Sequence, residues 1–159
     1  MNTPLTCEIA LLTILDSAKI PITLTAIQKI AFLAEKAKLI NTDFYTTFHG
    51  PSSNDIHNTL INLLAVGWIF ESQKNLDGKS LNHYQITPTG LSALKKLAPE
   101  NTQTLKEFHN LVKTCWQFTR FNPWLLIHLT KAIQQSPINI ENAKQLIQKI
   151  SNLTFPNPN

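Results

Sequence analysis

The sequence predicts a mainly helical α+β fold, and three observations carry that reading. Apolar residues recur at helical spacing over most of the chain, two short strand-like runs flank one Asp77-Gly78 pair, and turn-forming residues separate the segments. With 159 residues, 43% of them hydrophobic, the chain can bury one core with a smaller helical extension and needs neither disulfides nor a metal to do so.

From Thr6 to Ala18, the residues Ile9, Leu11, Leu12, Ile14 and Leu15 make a broad apolar face, which predicts a first helix ended before Pro21. Thr25 with Gln28 three residues on is a capping-box pattern. Ile27, Ile30, Ala31 and Ala34 follow at helical spacing, so a second helix is expected from about Ala26 to Leu39. Gly50-Pro51 sets a turn, with His49 beside it to pack or hydrogen-bond where the third helix begins. Ser52 with Asp55 repeats the capping logic, and Ile56, Leu60, Leu63 and Leu64 form one stripe to face the first two helices. Gly67 stands where a helix C-terminus favours glycine. Trp68 to Glu71 and Leu81 to Ile86 then read as two strands, joined by an Asp-Gly turn that supplies the positive-φ residues of a tight hairpin. Three helices followed by a hairpin is the order of a winged helix-turn-helix with a two-stranded wing.

Thr89 can cap a further helix through Leu97, and Pro99-Glu100-Asn101 breaks it. Leu105, Phe108, Val112 and Cys115 begin a longer helix, widened by Leu111 and Phe118. Asn122-Pro123 then suits the cap and first position of a helix from Trp124 to about Gln135. A last helix is expected over Ile140 to Leu153. The organisation read from this is a winged-helix domain over 1–98, a C-terminal helical extension over 99–153 and a loose tail over 154–159. The apolar positions of the extension exceed one narrow stripe, so Leu105, Phe108, Val112, Trp116 and Trp124 are candidates for core packing or for a homodimer interface.

The run Phe48-His49-Gly50-Pro51-Ser52-Ser53-Asn54-Asp55-Ile56, continuing through Leu63-Leu64-Ala65-Val66-Gly67-Trp68-Ile69, resembles a motif of small archaeal and bacterial winged-helix proteins. In these a Gly-Pro-x-Ser turn opens the third helix, and Panacea-type antitoxin-like domains carry a similar turn. The resemblance covers about residues 5–97. It departs from the pattern at His49 and at Ser52, where aromatic residues are usual. It implies a winged-helix fold with a transcriptional or antitoxin-like role, and no ligand.

Charge decides how far the nucleic-acid reading extends. The net charge is +4, yet residues 1–90 hold six lysines against seven carboxylates, while residues 91–159 hold seven lysines and Arg120 against three glutamates. The predicted winged helix is thus slightly acidic. With one arginine in the chain, the bidentate Arg-to-guanine contact is largely missing. The outward residues expected on the third helix are Ser53, Asn54, His57, Asn58, Thr59 and Asn62, types that can hydrogen-bond base edges or phosphates. Lys74 and Lys79 in the wing, with Lys29 and Lys36 in the second helix, would meet phosphates. Double-stranded DNA is the first expected partner. A protein partner, met through a winged helix used as a scaffold, is the alternative, and the near-neutral N-terminal half favours it.

No catalytic grouping stands out. The sequence has no Gly-rich phosphate loop and no nucleophile elbow. His57, His83, His109 and His128 stand at no metal-ligand spacing, and Cys7 and Cys115 form no paired motif. A non-catalytic protein without metal or cofactor is expected. The first residues lack the basic flank of a signal peptide and no apolar run reaches the roughly 20 residues of a membrane span, which predicts a cytoplasmic protein.

Overall fold

The computed structural model describes residues 3–98, 102–121 and 123–135. Its described elements run α1 (Cys7–Ala18), β1 (Ile22–Thr23), α2 (Leu24–Lys36), β2 (Tyr45–Thr47), β3 (Gly50–Ser52), α3 (Asn54–Ala65), β4 (Ile69–Leu76), β5 (Lys79–Ile86), α4 (Pro88–Leu97), α5 (Thr102–Phe121) and α6 (Pro123–Gln135). The fold is mixed α+β and mainly helical. The last helix expected over Ile140 to Leu153 and the tail lie outside the described residues.

Helix α1 is the axis of the core. Ile9, Ala10, Leu11, Leu12, Ile14 and Leu15 are all buried, because α2, α3, α4 and α5 pack around it. Thr6 caps it, accepting from the Ile9 amide at 3.3 Å. Helix α2 starts earlier than the sequence suggested. Thr23, rather than Thr25, is the cap, with its hydroxyl accepting from the Ala26 amide, and this frees Gln28 for a different task. The helix ends at Lys36 in a Schellman turn: the Leu39 amide donates to Ala34 O and the Lys38 amide to Glu35 O, both at 2.9 Å. Lys38 takes the left-handed conformation there, at φ 59°. Helix α3 ends in the same motif, with Trp68 N to Leu63 O and Gly67 N to Leu64 O, and here the left-handed residue is the expected Gly67 at φ 75°.

Two small antiparallel sheets complete the fold. One has the order β1-β5-β4, with Ile22 opposite Tyr84 and Ile69 opposite Ile86, and its β4–β5 hairpin turns at Asp77 (φ 52°) and Gly78 (φ 76°). That turn is the one the Asp-Gly pair predicts, though the strands run longer than the apolar runs suggested. The other sheet is the β2–β3 hairpin, with Tyr45 opposite Ser52 and Thr47 opposite Gly50. The sequence marked only a turn there.

The chain returns from β5 into α4 through a tight junction. The Thr87 amide donates to Trp68 O at 3.0 Å and its hydroxyl to Gly67 O at 2.7 Å, while the same hydroxyl oxygen accepts from the Gly90 amide. Thr87 followed by Pro88 is therefore the cap and first position of α4, two residues before the expected cap at Thr89. A Cβ at Gly90 would overlap the Trp68 carbonyl oxygen and lie 3.0 Å from Ile86 Cγ1, so only glycine lets α4 approach this closely.

The extension folds back on the body: α5 packs on α1 and α2, and α6 on α2 and β3. Phe108 and Val112 are consequently at 0% exposure inside the chain's own core. Leu105 and Trp116 are partly buried against that core. Phe108 and Val112 are therefore unavailable to a second copy, which corrects their candidacy for a dimer interface. The reason is that α1, apolar nearly all round, needs a covering helix, and α5 supplies it. The side chain of Trp124 lies outside the described residues.

Candidate nucleic-acid interface

The surface that could meet a duplex is built on α3, and α3 is held by a buried polar network at its N-terminus. The Gln28 side-chain amide pairs with the Ser53 backbone as a neighbouring strand would, Nε2 donating to Ser53 O at 2.9 Å and Oε1 accepting from Ser53 N at 2.8 Å. Ser53 Oγ accepts from the Ile56 amide as the helix cap and lies 3.1 Å from Thr42 Oγ1, which donates to Asp55 Oδ2 at 2.9 Å. The cap is thus Ser53, one residue beyond the expected Ser52, which ends β3.

Burial withdraws two of the expected contact residues. Ser53 is at 0% exposure and Thr59 at 7%, so neither reaches a partner. Helical periodicity put Ser53 among the outward residues, but a cap at the first turn points back over the helix end, and here α2 covers it. Asn54, His57, Asn58 and Asn62 are exposed, sharing the outer face of α3 with Asp55, Ile61 and Ala65. That face has no lysine or arginine, and Ile61 within it is half exposed.

The β4–β5 hairpin adds the positive charge. Register places Lys74 opposite Leu81, and strand alternation puts Lys79 on that same face, so both exposed lysines point the same way. Neither joins an ion pair among the described residues, where the ion pairs are Lys19 with Asp16 and Lys36 with Glu35. Lys36, partly exposed, is occupied by Glu35 and by the Phe32 ring, 5.3 Å from its centroid.

Lys29 behaves unlike the other lysines. Expected among the phosphate contacts, it is 2% exposed, with its Nζ donating to Pro51 O at 2.8 Å. Burial, and secondarily the nearby Lys131, pulls its pKa down to about 8. Its stem fills the space beside Gly50, where an added Cβ would meet Lys29 Cε at 3.2 Å. Lys29 therefore anchors the β2–β3 hairpin and leaves the contact surface. Sequence pattern could not show this, because an amphipathic reading assigns any lysine to the solvent side.

The histidines take varied positions. His49 is exposed at the tip of the β2–β3 hairpin, edge-on to Phe48 with ring centroids 5.1 Å apart. His83 is buried, with Nδ1 3.0 Å from Leu81 O. Among the described residues no group of three or more His, Cys, Asp or Glu side chains could hold a metal ion, and no helix is long and apolar enough to cross a membrane. The chain matches no known protein family and no curated protein sequence.

Proposed function

We propose that this chain is a cytoplasmic, non-catalytic regulator on a winged helix-turn-helix scaffold, with α3 and the β4–β5 wing contacting double-stranded DNA. The order of α1, α2 and α3 followed by the hairpin supports the scaffold. One observation carries the partner: four exposed hydrogen-bonding side chains on one face of α3 (Asn54, His57, Asn58 and Asn62) accompany, on one face of an exposed hairpin, two lysines in no ion pair among the described residues. Asparagine can pair bidentately with adenine, and the lysines neutralise phosphates.

Fluorescence anisotropy with random duplexes and with duplex from the chain's own upstream region, at two salt concentrations, tests this. Binding is expected to weaken with salt. The Lys74→Glu/Lys79→Glu variant should lower the salt slope by about two if each lysine meets one phosphate. Absence of binding at low salt refutes the DNA reading.

A second reading is favoured by Ile61, 49% exposed on the cation-free face of α3, with Val66 at 59% and Phe70 at 46% nearby in sequence. Apolar exposure of this kind suits a protein partner in an antitoxin-like or complex-assembly role. Binding of such a partner would respond weakly to salt and strongly to Ile61→Asp.

A further inference from the structure

The exposed side of α3 mixes amides with apolar groups in a fixed pattern. Asn54, Asn58 and Asn62 recur every four residues, so each is turned only about 40° from the one before and the three form a slanting row, one turn apart. Ile61 comes seven residues after Asn54, about 20° to the other side of it, and so stands in the same exposed strip, with Ala65 one turn further on. Ile61 is 49% exposed, and His57 and Asn58 one turn before it and Asn62 beside it are exposed and polar. An isoleucine and an alanine are thus set among amides, on a helix without lysine or arginine.

That chemistry selects among base pairs. In the major groove adenine shows one acceptor and one donor, which a carboxamide matches at both points, whereas guanine shows two acceptors and is read by arginine or lysine. Thymine adds a methyl group that an alkyl side chain can cover. Cytosine has no such methyl, and its amino donor would meet an isoleucine without a hydrogen-bond partner. Side chains three residues apart are about 4.5 Å apart along a helix axis, close to the roughly 3.4 Å between stacked base pairs, so Asn58 and Ile61 can serve one A·T pair or two neighbours. We propose that α3 selects A·T-rich duplex, with Asn54, Asn58 and Asn62 offering amides to adenine edges and Ile61 packing on a thymine methyl. This rests on the duplex reading of α3 and adds to it which base pairs are read.

The test selects binders of the full chain from a random duplex pool at low salt. The selected duplex is then remade with deoxyuridine in place of one thymidine at a time, which removes a methyl and leaves the base pairing unchanged. Selection should enrich A·T pairs. For at least one thymine the change to uracil should weaken wild type about fourfold, the value of one buried methyl group. Ile61→Ala should bind the thymine and uracil duplexes alike, because the side chain that covered the methyl is gone. Asn58→Ala should lose about fivefold or more of the preference for adenine over guanine at one position. Both side chains are exposed, so both variants should unfold in urea as wild type does. A selected site rich in G·C pairs, binding indifferent to sequence, no thymine whose methyl matters, or a uracil penalty that Ile61→Ala retains would each overturn this specificity while leaving duplex binding standing. No binding to any duplex would overturn it together with the duplex reading, and would leave Ile61 to a protein partner.

Discussion

The buried lysine makes stability depend on pH with an unusual sign. Lys29 is 2% exposed, hydrogen-bonded to one carbonyl and close to Lys131, and its pKa falls from 10.5 to about 8. Between those values the unfolded chain holds a proton on Lys29 that the folded chain has released, so the unfolded state binds more protons and stability rises with pH. Raising the pH from 7 to 9 should add at most about 1.3 kcal/mol through this group, and the full gap to pH 10.5 about 3 kcal/mol. Buried thiols act in the opposite direction. Cys115 is pushed up to about 12 and Cys7 is also raised, so the unfolded thiols ionise first and stability declines from about pH 9 upward. The clean quantity is therefore the difference between wild type and Lys29→Met, measured by urea unfolding at pH 7, 8 and 9 with the same m-value. That difference should move in favour of wild type as pH rises. A difference independent of pH would show that Lys29 keeps an ordinary pKa and that its ammonium reaches water.

The backbone predictions follow from the same geometry. Gly90→Ala should destabilise by more than about 3 kcal/mol, since a Cβ there collides with the Trp68 carbonyl, while Ser92→Ala on the exposed side of α4 should change stability by less than about 0.5 kcal/mol in the same denaturation assay. Gln28→Ala should cost about 2–4 kcal/mol, because it leaves the buried Ser53 amide and carbonyl without partners, and hydrogen exchange at the N-terminus of α3 should accelerate. Lys38→Gly should stabilise by about 0.5–1 kcal/mol, relieving a side chain held at φ 59° in the α2 cap, as read from the shift in urea midpoint.

The sequence legibly marked elements whose signals are local. Gly67 closing α3 and Asp77-Gly78 turning the β4–β5 hairpin each depend on hydrogen bonds or φ angles within a few residues, so residue type alone predicts them. The same holds for the stripe of Ile56, Leu60 and Leu63 that buries one side of α3. Local rules failed where two caps stood in competition. At Thr23 and Thr25, at Ser52 and Ser53, and at Thr87 and Thr89, each pair offers two sound cap residues, and long-range contacts select one. The β2–β3 hairpin was read only as a turn because three-residue strands with a proline carry no alternating pattern.

By itself, then, the sequence determined the mainly helical α+β class, the order of helices before the hairpin, and the outward positions of Asn54, His57, Asn58, Asn62, Lys74 and Lys79. Only the tertiary structure decided that Gln28 pairs with the Ser53 backbone, that Lys29 anchors Pro51, that Ser53 is sealed, and that Phe108 and Val112 complete the core around α1. The physical reason is reach. Periodicity and capping are set within one or two helical turns, whereas a polar side chain's exposure depends on which distant backbone group lies beside it, and that is known only once the helices have packed.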